Sequence, residues 1–228
     1  MLTVVFASPK GGCGKTTAAL TLALGLCEQH DRVAMVDADP NRPLVRWAEM
    51  PGRPPGLTVQ AAPTAMDIPD AVRAALRGRP DWLIADTEGS MAGMGAIQAL
   101  KPDLIVTPLG PSPLDVDMAL SAQSMLALPK MRLSKPALHC ALLTRVPPLL
   151  RPRSLKAATT RLEQSGMPLL PTAVIDKEAL RLLFAYGGGF EALVARQVPG
   201  AAAARANALD LATVMRSAAL ARGLIAAL

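Results

Sequence analysis

The chain is 228 residues long with a formal net charge of +6; 51% of it is apolar, 18% charged and 3% aromatic. That balance excludes a disordered chain and leaves few rings for stacking on single-stranded bases. It also contains no apolar run long enough to span a bilayer as a helix. Residues 1–7 carry no basic segment and lead straight into a glycine loop, so no secretory signal is expected. Cys13, Cys27 and Cys140 are spaced for neither a disulfide scaffold nor a zinc site, which points to a reducing compartment, the cytoplasm. The length fits one compact α/β domain over 1–228, and the basic balance is compatible with nucleic acid or another acidic surface without selecting either.

Short apolar runs alternate with helical patterns, the signature of βα units on a mostly parallel sheet. Residues 2–7 read as a buried strand, 8–14 as a loop and 15–29 as a helix. A second strand over 32–36 ends in Asp37-Ala38-Asp39-Pro40, followed by a short helix over 44–50 and a Pro/Gly loop. A strand over 57–61 and a helix over 67–77 come next. Strands over 82–85 and 104–106 end at Asp86 and at Thr107-Pro108; a helix over 113–126 and a strand over 138–143 follow, leading to Thr144-Arg145. Beyond residue 150 the pattern weakens: helices are expected over 151–164, 177–185 and 203–224, with a turn at Gly187-Gly188-Gly189. No internal repeat or domain linker stands out.

Lys10-Gly11-Gly12-Cys13-Gly14-Lys15-Thr16-Thr17 falls between the first strand and the first helix, where backbone N–H groups and the helix N-terminus converge on an anion. Glycines allow the backbone to wrap closely around phosphates. Lys15 would reach the β- and γ-phosphates, and the Thr16 hydroxyl would ligate Mg²⁺. The usual G-x-x-x-x-G-K-[ST] pattern fails because Pro9 stands at its first glycine; K-G-G-x-G-K-T-T fits instead. A chance match to all its fixed positions is on the order of 10⁻⁸ per starting position.

On that loop the chain resembles the ParA/MinD family of deviant Walker A P-loop ATPases, over about the first 150 residues. The resemblance implies a P-loop NTPase three-layer sandwich, a mostly parallel twisted sheet with helices on both faces, and an ATP-dependent sandwich dimer. It implies that Lys10 crosses to the partner's nucleotide, that Asp39 orients the attacking water, and that Asp37 and Asp86 support Mg²⁺. The alternative for each aspartate is a helix cap or loop carboxylate. Three carboxylates at the C-terminal ends of strands beside a phosphate loop favour the site, because open α/β sheets bind ligands at that edge. Catalysis is thus expected from Lys10, Lys15 and Asp39, and nucleotide contacts from Gly11 to Thr17. The segments with Pro108 and with Thr144-Arg145 resemble the family's nucleobase-side loops, Arg145 stacking on adenine; ordinary strand-end turns are the alternative. Cys13 reads as a small filler.

Asn41-Arg42-Pro43-Leu44-Val45-Arg46-Trp47, Asp86-Thr87-Glu88-Gly89, Ser112-Pro113-Leu114-Asp115-Val116-Asp117 and Arg145-Val146-Pro147 look closer to the VirC-type members associated with conjugative DNA transfer than to plasmid-partition ParA proteins. The iron–sulfur branches of the superfamily need cysteines after the Walker B strand, where only Cys140 stands. Arg151, Arg153, Lys156, Arg181 and Arg205 are candidates for nonspecific DNA contact when ATP-bound, on the nucleoid, with solvated helix faces as the alternative. A ParB-like or relaxosome-type partner is expected to stimulate hydrolysis. A MinD-like membrane role and a nucleotide-dependent scaffold are the competing classes. The last helix has an apolar stripe from Leu211 to Leu228 but few flanking cations, which fits core packing better than a membrane surface.

Overall fold

The computed structural model describes residues 1–131, 133–146, 153–175 and 178–224. Among the described residues seven strands are laid down in chain order: β1 (Leu2–Phe6), β2 (Val33–Ala38), β3 (Leu57–Ala61), β4 (Trp82–Thr87), β5 (Leu104–Leu109), β6 (Leu138–Val146) and β7 (Leu169–Ile175). They form one sheet in the order β3-β2-β4-β1-β5-β6-β7, and every pairing is parallel. The intervening helices are α1 (Lys15–Glu28), α2 (Pro43–Glu49), α3 (Ile68–Leu76), α4 (Met91–Leu100), α5 (Pro113–Leu126), α6 (Arg153–Gln164), α7 (Glu178–Tyr186), α8 (Phe190–Ala195) and α9 (Ala201–Ala221).

Strand β1 shows why the layers form. Every residue of it is buried, so its continuous apolar run serves both faces. Leu2, Val4 and Phe6 join the core under α1, α2, α7, α8 and α9, whereas Val5 joins the core under α3 and α4. On the first face α1 and α9 cross closely: a Cβ on Gly25 would collide with the Ala208 carbonyl. Within the described residues the stripe of α9 is a core stripe, with Ala204, Ala208, Leu211, Ala212, Met215 and Ala219 buried; Ile225 and Leu228 of the expected stripe lie outside them. No helix among the described residues is long and apolar enough to cross a membrane.

Three elements went unread in the sequence. Helix α4 carries Gly93 and Gly95, which weaken its intrinsic preference. Gly93 is nonetheless needed, because a Cβ there would strike the Glu88 carbonyl. Strand β7 contains Pro171, which is tolerated because β7 is an edge strand. Helix α8 is too short to show a periodic stripe. Strands β2, β4, β5 and β6 also run past their expected ends, to Ala38, Thr87, Leu109 and Val146.

Candidate functional site

The phosphate-type loop leaves β1 and enters α1 through Gly14, whose φ of 88° belongs to the left-handed region that favours glycine. No side chain caps α1, and its first turn holds no acidic residue. The free N–H groups and the positive end of the helix therefore face an open cleft of about 530 Å³. Gly11, Gly12, Gly14, Lys15, Thr16 and Thr17 line it. Cys13 is buried beneath the loop, its thiol 3.4 Å from the Lys10 carbonyl, as befits a filler.

Lys15 is only 6% exposed, and its ammonium donates to the Lys10 carbonyl at 3.1 Å, folded over the loop. Next to it, the Thr16 hydroxyl donates to Asp86 Oδ2 at 2.6 Å. Asp86 is fully buried, and its Oδ1 has no hydrogen-bond partner. Burial pushes the Asp86 carboxyl up to about 7, against the Thr16 bond and with the Asp37 charge adding to the rise. A buried carboxylate with one unused oxygen beside a hydroxyl suits a hard divalent cation. Among the described residues no group of three or more His, Cys, Asp or Glu side chains could hold a metal by itself. A cation at Thr16 and Asp86 therefore needs outside oxygens, the habit of Mg²⁺ with phosphates.

Asp37, expected to support a metal shell, accepts backbone bonds with both oxygens. Its Oδ2 accepts from Leu44 N at 2.8 Å and Val45 N at 3.0 Å, and its Oδ1 from Asp39 N at 3.4 Å. The carboxylate ties the first turn of α2 to the end of β2, the helix-capping alternative. Its burial raises its pKa, against those three backbone bonds. Asp39 lies half-buried on the cleft lining, where Oδ1 accepts from Asn41 N at 2.8 Å.

Lys10 is turned back onto its own chain. Its side chain is 40% exposed and its ammonium lies 2.6 Å from Asp115 Oδ1 at the start of α5. Ser112 caps that helix, accepting from Asp115 N and donating to Asp115 Oδ2 at 2.6 Å. Gly110 makes room for the carboxylate, since a Cβ would sit 2.6 Å from Oδ2. Burial opposes ionisation of Asp115, but the Lys10 and Ser112 bonds outweigh it and hold the carboxyl below its ordinary range.

The opposite wall is built from β6, β7 and α7. Thr144 donates to the Cys13 carbonyl at 2.7 Å, and Arg145 donates to the Gly12 carbonyl at 3.0 Å, so both anchor the loop. Val174, Ile175, Leu180 and Arg181 complete the lining. Pro108, expected beside the nucleobase, is a buried strand residue opposite Leu142, because β5 continues to Leu109, and it is not among the cleft-lining residues. Its neighbour Thr107 pairs with His139 Nε2 at 2.8 Å, and burial pushes that imidazole down to about 4.

The basic candidates do not gather on one element. Arg151 lies outside the described residues, as does the side chain of Arg153 at the start of α6; Lys156 is exposed on α6. Arg181 lines the cleft and pairs with Glu178 at 2.7 Å. Arg205 on α9 pairs with Glu28 at 2.6 Å.

Sequence reasoning missed Gly89. A Cβ there would lie 2.7 Å from both Gly11 Cα and Lys15 Nζ, so the β4–α4 turn rests directly on the phosphate-type loop. Ser90, which caps α4 by accepting from Gly93 N, was the available signal for that turn. Val174, Ile175 and Leu180 carried none, since nothing local marks an apolar residue as cleft lining.

A model of the VirC1 protein family matches residues 1–224. Protein ParA of Rhizobium radiobacter is 28% identical over 205 residues, 89% of this chain and 91% of its own length. Maintenance of carboxysome distribution protein A of Halothiobacillus neapolitanus is 32% identical over 183 residues, 78% and 82% of the two chains. Among solved structures, an ATP complex of a Cyanothece McdA variant superposes with a TM-score of 0.67 at 18% identity, covering 94% of this chain and 96% of that one. The deviant phosphate loop, the parallel sheet order and these similarities agree: the chain belongs to the VirC1 family of ParA/MinD-type P-loop ATPases.

Proposed function

We propose that this chain is a weak Mg²⁺-dependent ATPase that pairs with a second copy around ATP and, in that state, binds DNA without sequence preference. Its task would be to position a DNA cargo or a DNA-processing complex, with hydrolysis stimulated by a ParB-like or relaxosome-type partner. The observation that carries the reading is the difference between two lysines of one loop: Lys15 is folded into the cleft while Lys10 is held outside its lining by Asp115.

The uncapped start of α1 and the loop N–H groups would hold the α- and β-phosphates, and Lys15 would swing from the Lys10 carbonyl onto the β- and γ-phosphates. Thr16 and Asp86 would hold Mg²⁺, which when bound offsets the charge of the phosphate oxygens. Asp39 borders the same space and would orient water. Arg145 and Arg181, with Ile175 and Leu180, would flank the nucleobase. Lys10 would leave Asp115 for the terminal phosphate held by the second copy; a cation supplied that way makes pairing depend on ATP. Relatives named for ParA and for carboxysome distribution support a positioning role over a metabolic one.

Light scattering after size exclusion tests the reading: a dimer is expected with a nonhydrolysable ATP analogue and a monomer with ADP. The analogue-bound form should retain plasmid DNA in a salt-sensitive way. A monomer in both nucleotides overturns the sandwich. ATP-dependent pelleting with anionic liposomes, without DNA retention, would replace DNA by a membrane surface.

A further inference from the structure

Two turns outside the cleft lining are locked together. Trp47 in α2 is completely buried, and its indole N–H donates to the Gly188 carbonyl at 3.2 Å. Gly188 belongs to the turn that ends α7. That turn and the loop after α2 interlock backbone against backbone. Gly187 has a φ of 70°, and a Cβ on it would collide with Met50 Cβ; a Cβ on Gly52 would sit 3.3 Å from Gly188 Cα.

Each of the two helices also reaches the cleft at its other end. The first turn of α2 hangs from Asp37, two residues before Asp39. The first turn of α7 carries Leu180 and Arg181 on the cleft lining. The result is a closed bracket that runs from Asp39 through α2, Trp47 and Gly188, and back along α7 to Leu180 and Arg181. Neither Trp47 nor the glycine turn lines the cleft. Close-packed helices joined at both ends move as one body, because packed interfaces do not deform continuously.

We propose that Trp47 is a positioning residue for the nucleotide, acting through Gly188 to keep the Leu180–Arg181 wall in register with the Asp39 segment. The proposal rests on the nucleotide-binding reading of the cleft. It assigns the tryptophan a role in affinity as well as in the core.

Trp47→Phe keeps a ring in the core and removes the N–H donor, and Trp82→Phe is the control. Trp82 is 2% exposed at the start of β4, outside the cleft lining, with its indole bonded to Asp31 and its ring under the Arg216 guanidinium, so its replacement removes a comparable ring and donor away from the cleft. Calorimetric titration of the full chain with ADP and with a nonhydrolysable ATP analogue, plus thermal melts without nucleotide, reads both effects. Losing one buried hydrogen bond predicts dissociation constants about five-fold weaker for Trp47→Phe. Trp82→Phe should lower the melting temperature and leave both constants unchanged. Gly187→Ala, which wedges the two turns apart, should weaken binding further. Should Gly187→Ala not fold, the Phe pair still decides. Equal affinities in Trp47→Phe and Trp82→Phe overturn the proposal. Absence of nucleotide binding in the unaltered chain would overturn the site reading and this proposal together, and only that outcome touches the former.

Discussion

Across the cleft, two walls of similar size are assembled by opposite means. The phosphate-type wall is one unbroken stretch of chain, Gly11 to Thr17, held by its own turns and by the start of α1. The facing wall brings Thr144, Arg145, Val174, Ile175, Leu180 and Arg181 from β6, β7 and α7. It reaches the first wall through two bonds to its carbonyls, from Thr144 to Cys13 and from Arg145 to Gly12. A wall made by local backbone geometry should fail in an all-or-none way when one group is removed. A wall made by dispersed side chains should fail by degrees.

The sharpest break of that contrast is Lys15→Ala. The residue is the buried cation of the phosphate wall, and loss of its charge-assisted bonds should weaken nucleotide binding on the order of 100-fold or more by calorimetric titration. Near-normal affinity would mean that the dispersed wall, not the loop, supplies the binding energy.

Asp86→Asn should come next and can be followed by pH. The Asp86 carboxyl titrates at about 7 in the folded chain against an ordinary 3.8. An acid with a raised folded pKa leaves stability intact below its unfolded pKa and removes it as pH climbs through the folded one. Without nucleotide or Mg²⁺, the melting temperature should therefore fall between about pH 4 and 7. Asp86→Asn should melt higher at pH 8 and show a flatter profile; part of the slope should survive, because Asp37 is raised too. The same substitution should lose the Mg²⁺ dependence of nucleotide affinity, roughly ten-fold of it. An unchanged profile would assign the pH dependence elsewhere.

Gly89→Ala and Arg145→Ala compare the walls directly. The alanine Cβ must displace Gly11 or Lys15, so a loss of about ten-fold in affinity is expected from a shift of the loop. Arg145→Ala removes one exposed bond to the Gly12 carbonyl and should cost only about two- to five-fold. A reversal of that order would make the facing wall the more exacting of the two.

Legibility followed the same division. Lys10 to Thr17 could be read because phosphate cradles need particular residue types at fixed spacing. Asp86 could be placed because its strand is a clean apolar run. Pro108 could not, since nothing local told how far β5 would extend past Val106 before the chain turned. Asp37 was ambiguous for a physical reason: a carboxylate at a strand end serves a metal or a helix start equally well, and the bonds from Leu44 N and Val45 N appear only once the chain is folded. Val174, Ile175, Leu180 and Arg181 were invisible as lining because long-range packing of an edge strand and its helix put them there. Helix α5, by contrast, was read to both ends, since Ser112-Pro113 is a cap followed by a first-turn proline.

The smallest expected effect bears on Lys10, which belongs to the phosphate loop by sequence but in this structure is held by a distant carboxylate. Its partner pair is partly exposed, 40% on the lysine side and 18% on the aspartate side, so the bond itself is modest. Asp115→Asn preserves the shape and an acceptor for Ser112 while removing the charge that retains the ammonium. Freed from that charge, Lys10 should reach a second copy more readily. Dimerisation with a nonhydrolysable ATP analogue should then occur at about two- to five-fold lower protein concentration, with nucleotide affinity of the monomer unchanged. Lys10→Ala should block dimerisation whether or not Asp115 is present, so the double variant must behave as Lys10→Ala alone. If Asp115→Asn weakened dimerisation instead, the carboxylate would be part of the interface between copies, and the resting pair would be a preassembled half of that interface rather than a restraint on it.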